Sequence, residues 1–351
     1  MKSVDYIIVG QGLAGTLLAH DLIEQGHTLV VIDKDMKASA SKVAAGLFNP
    51  VSMKRCIPTW NASVFLPFAI ERYQQLEKKL DTSFLNLTPV LKVFSNDEVS
   101  KQWKVQYSNT DINQYITNFN KEEKFSYLKD SSGTAQIDPA GNLEVNKFLS
   151  SSREYFESID SYINEVFDYK ELNPETATYK YIVGQRVIFC EGFRVLQNPF
   201  FDFLPIRPTK GEVMKIRIPS QEKLDYILSA GIYVLPLGSC EYIVGATYNH
   251  KDMDDVVSES GLSFLIEGLN KILKADYDLI DTNAGVRPTV KDRKPLLGLH
   301  PLLPKLGVFN GLGTRGVLIG PWLSTQFCTN LTTNTNYGLL SDNERINKFF
   351  C

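Results

Sequence analysis

Apolar positions along the chain repeat with two different periods, and the change between them marks out the elements. Val4-Asp5-Tyr6-Ile7-Ile8-Val9 and Thr28-Leu29-Val30-Val31-Ile32 are short apolar runs that predict buried strands, with an apolar helix between them. Lys34 to Ser41 is small and polar and reads as a loop, and Pro50 ends the alternating small and apolar stretch 42–50. Phe65, Phe68, Ala69, Tyr73, Leu76 and Leu80 recur at helical spacing, as do Leu262, Leu265, Ile266, Leu269, Ile272 and Leu273. From Leu85 to Tyr127 the chain is polar and strand-like, with Val90–Phe94 the clearest strand. Asp138-Pro139 precedes a helix expected at about 143–159, with Asn142 as its cap. Two strands are expected at 179–184 and 187–192, and three more at 212–218, 232–235 and 242–244. The last three have connections too short for helical crossovers, so they predict antiparallel pairing.

The turn after the first strand is Gly10-Gln11-Gly12-Leu13-Ala14-Gly15, and Asp33 stands at the tip of the second strand, eighteen residues past Gly15. A dinucleotide needs this spacing. Gly10 permits the tight turn, Gly12 lets the backbone approach a pyrophosphate, and Gly15 lets the helix pack against the strand. The N–H groups at the helix start face the phosphates, and Asp33 is placed to accept hydrogen bonds from a ribose.

A chain of 351 residues exceeds one ordinary hydrophobic core, and it contains no repeat or linker, so two interleaved domains are expected. A net charge of −3 supplies no general attraction to nucleic acid or to an anionic membrane. The five cysteines (Cys56, Cys190, Cys240, Cys328, Cys351) are scattered without a C-x-x-C pair, and the four histidines lack ligand spacing. These features argue against a disulfide framework or a metal site and favour a reducing compartment. His20 and His27 flank the first helix and are expected to be structural or exposed. No run is long enough for a membrane span, and a cytoplasmic protein is expected.

Four stretches carry a resemblance: G-Q-G-L-A-G at 10–15, S-K-V-A-A-G-L at 41–47, Y-V-L-P with I-V-G-A-T between Tyr233 and Thr247, and the segment 284–321 containing G-V-R-P and G-L-G-T-R-G. In order and spacing the chain resembles the flavin-dependent D-amino-acid oxidase superfamily, most closely its glycine oxidase and sarcosine oxidase branch. The resemblance implies an α/β fold, in which an FAD-binding Rossmann-like domain is interleaved with a mixed, largely antiparallel α+β substrate domain. The FAD domain is expected from 1–80, 139–205 and 283–351, and the substrate domain from 81–138 and 206–282. The residues it assigns to FAD are Gly10, Gly12, Leu13, Ala14, Gly15, Asp33, Lys34, Ser41, Ala45, Gly46, Leu47, Gly313, Thr314, Arg315, Gly316 and Val317. The alternative for 313–316 is a structural loop feeding the last helix.

By the same resemblance, Arg287 binds the carboxylate of an amino acid and Tyr233 reaches that carboxylate with its hydroxyl. The alternatives are an Arg287 paired with an interface acid and an ordinary strand tyrosine. Arg315 sits one position from the flavin-side arginine of glycine oxidases, Glu191 is structural or beside the cofactor, and Lys54, Arg55 and His250 are surface residues. Cys328 and Cys351 do not match the pattern of covalently flavinylated relatives, so FAD is expected to be noncovalent.

The implied activity is oxidation of the C–N bond of an amino acid or N-substituted glycine by hydride transfer to flavin N5, with oxygen or another acceptor taking the electrons. Two alternatives stay open: oxidation of a carboxymethylaminomethyl-modified tRNA base, and a flavin-binding protein without turnover. The acidic balance counts against a nucleic-acid partner. The oligomeric state is not legible in the sequence.

Overall fold

A computed structural model describes residues 1–34, 39–109, 111–120, 127–129, 131–219, 224–333 and 342–350. Two eight-stranded sheets organise it. The first places Lys2–Val9 between Leu29–Asp33 and Ile182–Phe189, with all three parallel, and Leu306–Asn310 runs parallel on the far side of Ile182–Phe189. Tyr162–Asn164 extends the other edge in the same direction. Alternate residues of the central strands enter different cores. Tyr6, Ile8, Leu29 and Val31 pack on one face, and Ile7, Val9, Val30 and Ile32 on the other. Burial on both faces is why these strands read as continuous apolar runs.

The helix Leu13–Glu24 leaves the end of the first strand, and Gly316–Thr333 follows the end of the parallel strand Leu306–Asn310. The two helices pack side by side. A Cβ added at Gly316 would lie 3.1 Å from the Leu13 side chain, and one at Gly320 would lie 3.0 Å from Leu17. Two helix N-termini therefore open at the same carboxyl edge of the sheet, where open α/β sheets bind ligands.

The second sheet is antiparallel apart from one pairing, Val90–Val93 with Ile227–Ser229. Its longest members, Ile206–Arg217 and Asp278–Val290, pair along nearly their whole length. The latter strand runs across residue 283, where a domain boundary was expected. The helix Glu259–Ile272 covers the outer face through Leu265, Leu269 and Ile272.

Three elements differ from the expectation. Asn142 is not a cap: it lies in the strand Gly141–Leu143, paired with Leu47 and Asn86, and the helix Val145–Ser158 begins after Glu144. A helix, Asp97–Asn109, occupies part of the region read as strand-like. Asn96 starts it by accepting a hydrogen bond from the Val99 N–H, and the fully buried Trp103 anchors it. Finally, Ile182–Phe189 is one strand that continues through Gly184, where the Ile7 side chain packs against the bare backbone. Residues 35–38 of the polar segment, 110 and 121–126 of the strand-like region, and Cys351 lie outside the described residues.

Candidate active site

One cleft of about 1170 Å³ lies between the two sheets and gathers most of the residues singled out in the sequence. At one end Gly10 turns with φ +101°, and a Cβ there would stand 2.6 Å from the Cys190 carbonyl. Gly15 does not line the cleft; a Cβ there would overlap the Gly10 carbonyl, so this glycine sets the approach of helix to strand. The Ser41 hydroxyl accepts the Leu13 N–H at 3.1 Å, tying segment 39–43 to the helix start. Asp33 and Lys34 line the same end, and the Asp33 carbonyl accepts the Tyr162 hydroxyl.

Ala45, Gly46 and Leu47 line the middle of the cleft. Gly46 has φ +68°, and any Cβ there would overlap the Leu143 carbonyl, so the segment bends into the cleft at a position only glycine can hold. Opposite, Gly311 and Gly313 both have positive φ and lead Thr314, Arg315, Gly316 and Val317 into the second helix N-terminus. Burial, and after it the like charges of Arg293 and Arg55, lower the pKa of Arg315.

The cradle fits FAD. Glycines 10 and 12 leave bare backbone at one helix start, Gly46 leaves it in the segment that bends into the cleft, and a second helix start opens beside the first. The two positive helix ends suit a pyrophosphate and a ring edge that becomes anionic on reduction.

Glu191 also borders the cleft, accepting hydrogen bonds from the Tyr169 hydroxyl at 2.5 Å and the Asn198 amide at 2.8 Å. Burial pushes its pKa from 4.5 up to about 7, against the pull of those two donors. A raised pKa favours the protonated form in the folded state. Its stabilising effect is therefore complete below 4.5 and is lost as pH rises through 7. The melting temperature is expected to fall over that interval, by the equivalent of about 1–2 kcal/mol after allowance for partial opening to solvent. Glu191→Gln should flatten the fall; an identical slope in both proteins would remove Glu191 as its source.

The substrate sheet supplies the other wall. Arg287 lays its guanidinium over Gly211, where a Cβ would overlap it, and donates to the Thr247 carbonyl at 3.3 Å. The Tyr248 ring lies 6.0 Å from it. Among the described residues no carboxylate forms an ion pair with Arg287, so the expected alternative of an interface acid has no counterpart here. Burial lowers its pKa, which makes an anionic guest favourable. The Tyr233 ring crosses Gly245, whose added Cβ would stand 2.5 Å from the hydroxyl. Burial pushes that hydroxyl up to about 12, so it remains a proton donor, with Arg287 opposing the shift.

Sequence reasoning missed Gly211, Tyr248 and Lys92 on this wall, and quoted Gly245 and Thr247 only as part of a family-like stretch; the bare backbone of Gly211 and Gly245 makes room for Arg287 and Tyr233. Lys54, expected on the surface, is exposed but lines the cleft. His250 is exposed and bonds Thr209 through Nδ1, 3.1 Å away. His20 is buried, with Nε2 2.9 Å from the Ser152 hydroxyl. No cluster of metal-ligating side chains occurs among the described residues, and none of their helices is long and apolar enough to cross a membrane.

A glycine-lined nucleotide cradle facing a cationic wall fits a flavin-dependent oxidoreductase. Residues 5–326 match the family described as FAD dependent oxidoreductase (DAO), and the chain belongs to it. Among sequence relatives, an uncharacterized oxidoreductase of Bacillus subtilis, YurR, is 23% identical over 93% of this chain and 94% of its own length. The bifunctional protein ThiO/ThiG of a Nostoc species is 23% identical over 90% of this chain, which spans only 51% of that relative. Among solved structures, glycine oxidase from Geobacillus kaustophilus superposes with a TM-score of 0.81 over 97% of both chains at 19% identity, which establishes a shared fold.

Proposed function

We propose that this protein oxidises the C–N bond of a small amino acid or N-substituted glycine. The observation that carries the reading is Arg287: a largely buried guanidinium with no acidic partner among the described residues, set beside a protonated Tyr233 in the cleft that holds the glycine cradle. Gly10, Gly12, Leu13, Ala14, Asp33 and Lys34 would hold the adenosine and pyrophosphate of FAD. Ser41, Ala45–Leu47 and Gly313–Val317 would hold its ring. Bound there, noncovalently, FAD would supply a two-electron acceptor for the hydride on the carbon next to the substrate nitrogen.

The protein's own part is orientation. Arg287 grips the carboxylate through its planar fork, and Tyr233 donates to the same group, which fixes the neighbouring carbon. Val213, Ile227 and Val90 present apolar wall beside them and exclude water. Of the carboxylates bordering the cleft, Glu165, Glu191 and Asp254 are bonded to Lys180, to Tyr169 and Asn198, and to Lys210, respectively, while Asp33 stands at the nucleotide end and Asp255 is exposed. The substrate is thus expected to enter with its amine already neutral.

Oxidation of the amine leaves an imine that water hydrolyses to an oxo acid or aldehyde and, as the nitrogen product, ammonia or a free amine. Both products should appear in equal amounts when the FAD-loaded protein turns over a carboxylated amine, with oxygen or an added acceptor present. Consumption of amine without a carbonyl product would contradict the reading. One observation supports a second reading, a carboxymethylaminomethyl group carried on tRNA: Lys54, Arg315 and its neighbours Arg55 and Arg293 bring positive charge to one side of the cleft. The same product assay with modified tRNA decides between them.

A further inference from the structure

Lys92 is a second cation in the same cleft. It is 91% buried as a residue, since only 9% of its surface is exposed, and it lines the cavity. Leu91 and Val93 belong to the outer core under the helix Glu259–Ile272, while Val90 and Lys92 line the cleft, which Val93 also borders at the strand end. The register gives the neighbours. Lys92 pairs with Ser229, Ser229 with Tyr233, Tyr233 with Gly245, and Gly245 with Val213. These five residues form one row across the cleft-facing side of the sheet, with Arg287 over Gly211 two residues from its end.

No carboxylate among the described residues pairs with Lys92. Its titratable neighbour is Cys56, whose thiol burial pushes up to about 12, so it stays neutral and offers no counter-charge. Three of the acids that border the cleft are engaged elsewhere: Glu165 with Lys180, Glu191 with Tyr169 and Asn198, and Asp254 with Lys210. Asp33 stands at the tip of its strand at the nucleotide end, and Asp255 is exposed. A buried ammonium is costly to leave without an anion. The Lys92 strand lies two strands from that of Tyr233, a separation of about 10 Å at the backbone.

We infer that Lys92 and Ser229 form a second anion subsite, and that the substrate is an amine carrying two carboxylates, one held by Arg287 and Tyr233 and the other reaching across the sheet to Lys92. The inference rests on the proposed carboxylate role of Arg287 and deepens it by naming the substrate class. A monocarboxylic amine would leave Lys92 facing water or an inorganic anion. A substrate with a second carboxylate several bonds away neutralises both cations at once and is fixed at two points.

The test uses the FAD-loaded protein and non-oxidisable straight-chain acids, comparing each α,ω-dicarboxylate with the monocarboxylate of equal length. Binding is read from the visible flavin spectrum and from the rise in melting temperature, neither of which depends on turnover. In wild type, the dicarboxylate of matching length is expected to bind roughly 10- to 100-fold more tightly than its monocarboxylate partner. The ratio should fall to near one in Lys92→Met and be largely kept in Lys92→Arg. A wild-type ratio near one at every length would overturn the subsite, whether or not the variant folds; so would a ratio that Lys92→Met leaves unchanged. The underlying reading fails differently, when Arg287→Met leaves monocarboxylate binding as it was.

Discussion

Arg287→Met is expected to keep FAD and to slow amine-dependent flavin reduction by roughly 30- to 5000-fold, the equivalent of about 2–5 kcal/mol for removing one partner of a desolvated, hydrogen-bonded charge pair. The range is wide because the native guanidinium is already held, over Gly211 and against the Thr247 carbonyl, so little of the binding energy is spent on ordering it. Met preserves most of the volume, and with it the shape of the wall. Arg287→Glu should lose still more, since it sets a like charge against the substrate carboxylate. The visible spectrum of the bound flavin separates this outcome from a folding failure. Reduction at the wild-type rate would remove Arg287 from substrate binding.

Gly12→Val should act at the other end of the cleft. A Cβ at Gly12 meets only the Ser41 hydroxyl, at 3.3 Å, and the backbone there has negative φ, so the protein is expected to fold. The added methyls would occupy the place where a pyrophosphate must touch the backbone, at a cost of about 1–3 kcal/mol. FAD affinity should drop roughly 10- to 100-fold while the far-ultraviolet circular dichroism stays that of wild type. Gly15→Val and Gly46→Val give the contrast, because each places carbon inside a neighbouring carbonyl and damages the fold itself. Undiminished FAD binding in Gly12→Val would show that the nucleotide does not lie against this turn.

The nucleotide end was legible because backbone geometry constrains it: a tight turn, a close approach and a helix start admit few residues, at fixed intervals. Arg287 and Tyr233 could be picked out only through the resemblance, since an arginine in a strand has no local signature of its partner. Their surroundings could not be read. Gly211 and Gly245 look like ordinary strand glycines until the register lays Arg287 and Tyr233 across them. Lys92 was hidden for a related reason. In Val90-Leu91-Lys92-Val93 a lone polar residue reads as solvent-facing, and only the closure of the two sheets over one cleft turns that face inward. The missed helix Asp97–Asn109 carries a thin apolar stripe around Trp103, so its charged face dominated the pattern. Asn142 looked like a cap because it precedes a helix; its backbone is instead taken by strand partners distant in sequence.

The most direct measurement is anaerobic mixing of the FAD-loaded protein with a panel of glycine, N-methylglycine, other amino acids and dicarboxylic amines, following the oxidised flavin bands. Bleaching by carboxylated amines, and not by the same amines with the carboxylate amidated, is the predicted result. Bands that no carboxylated amine bleaches, or that the amidated forms bleach equally fast, would contradict it.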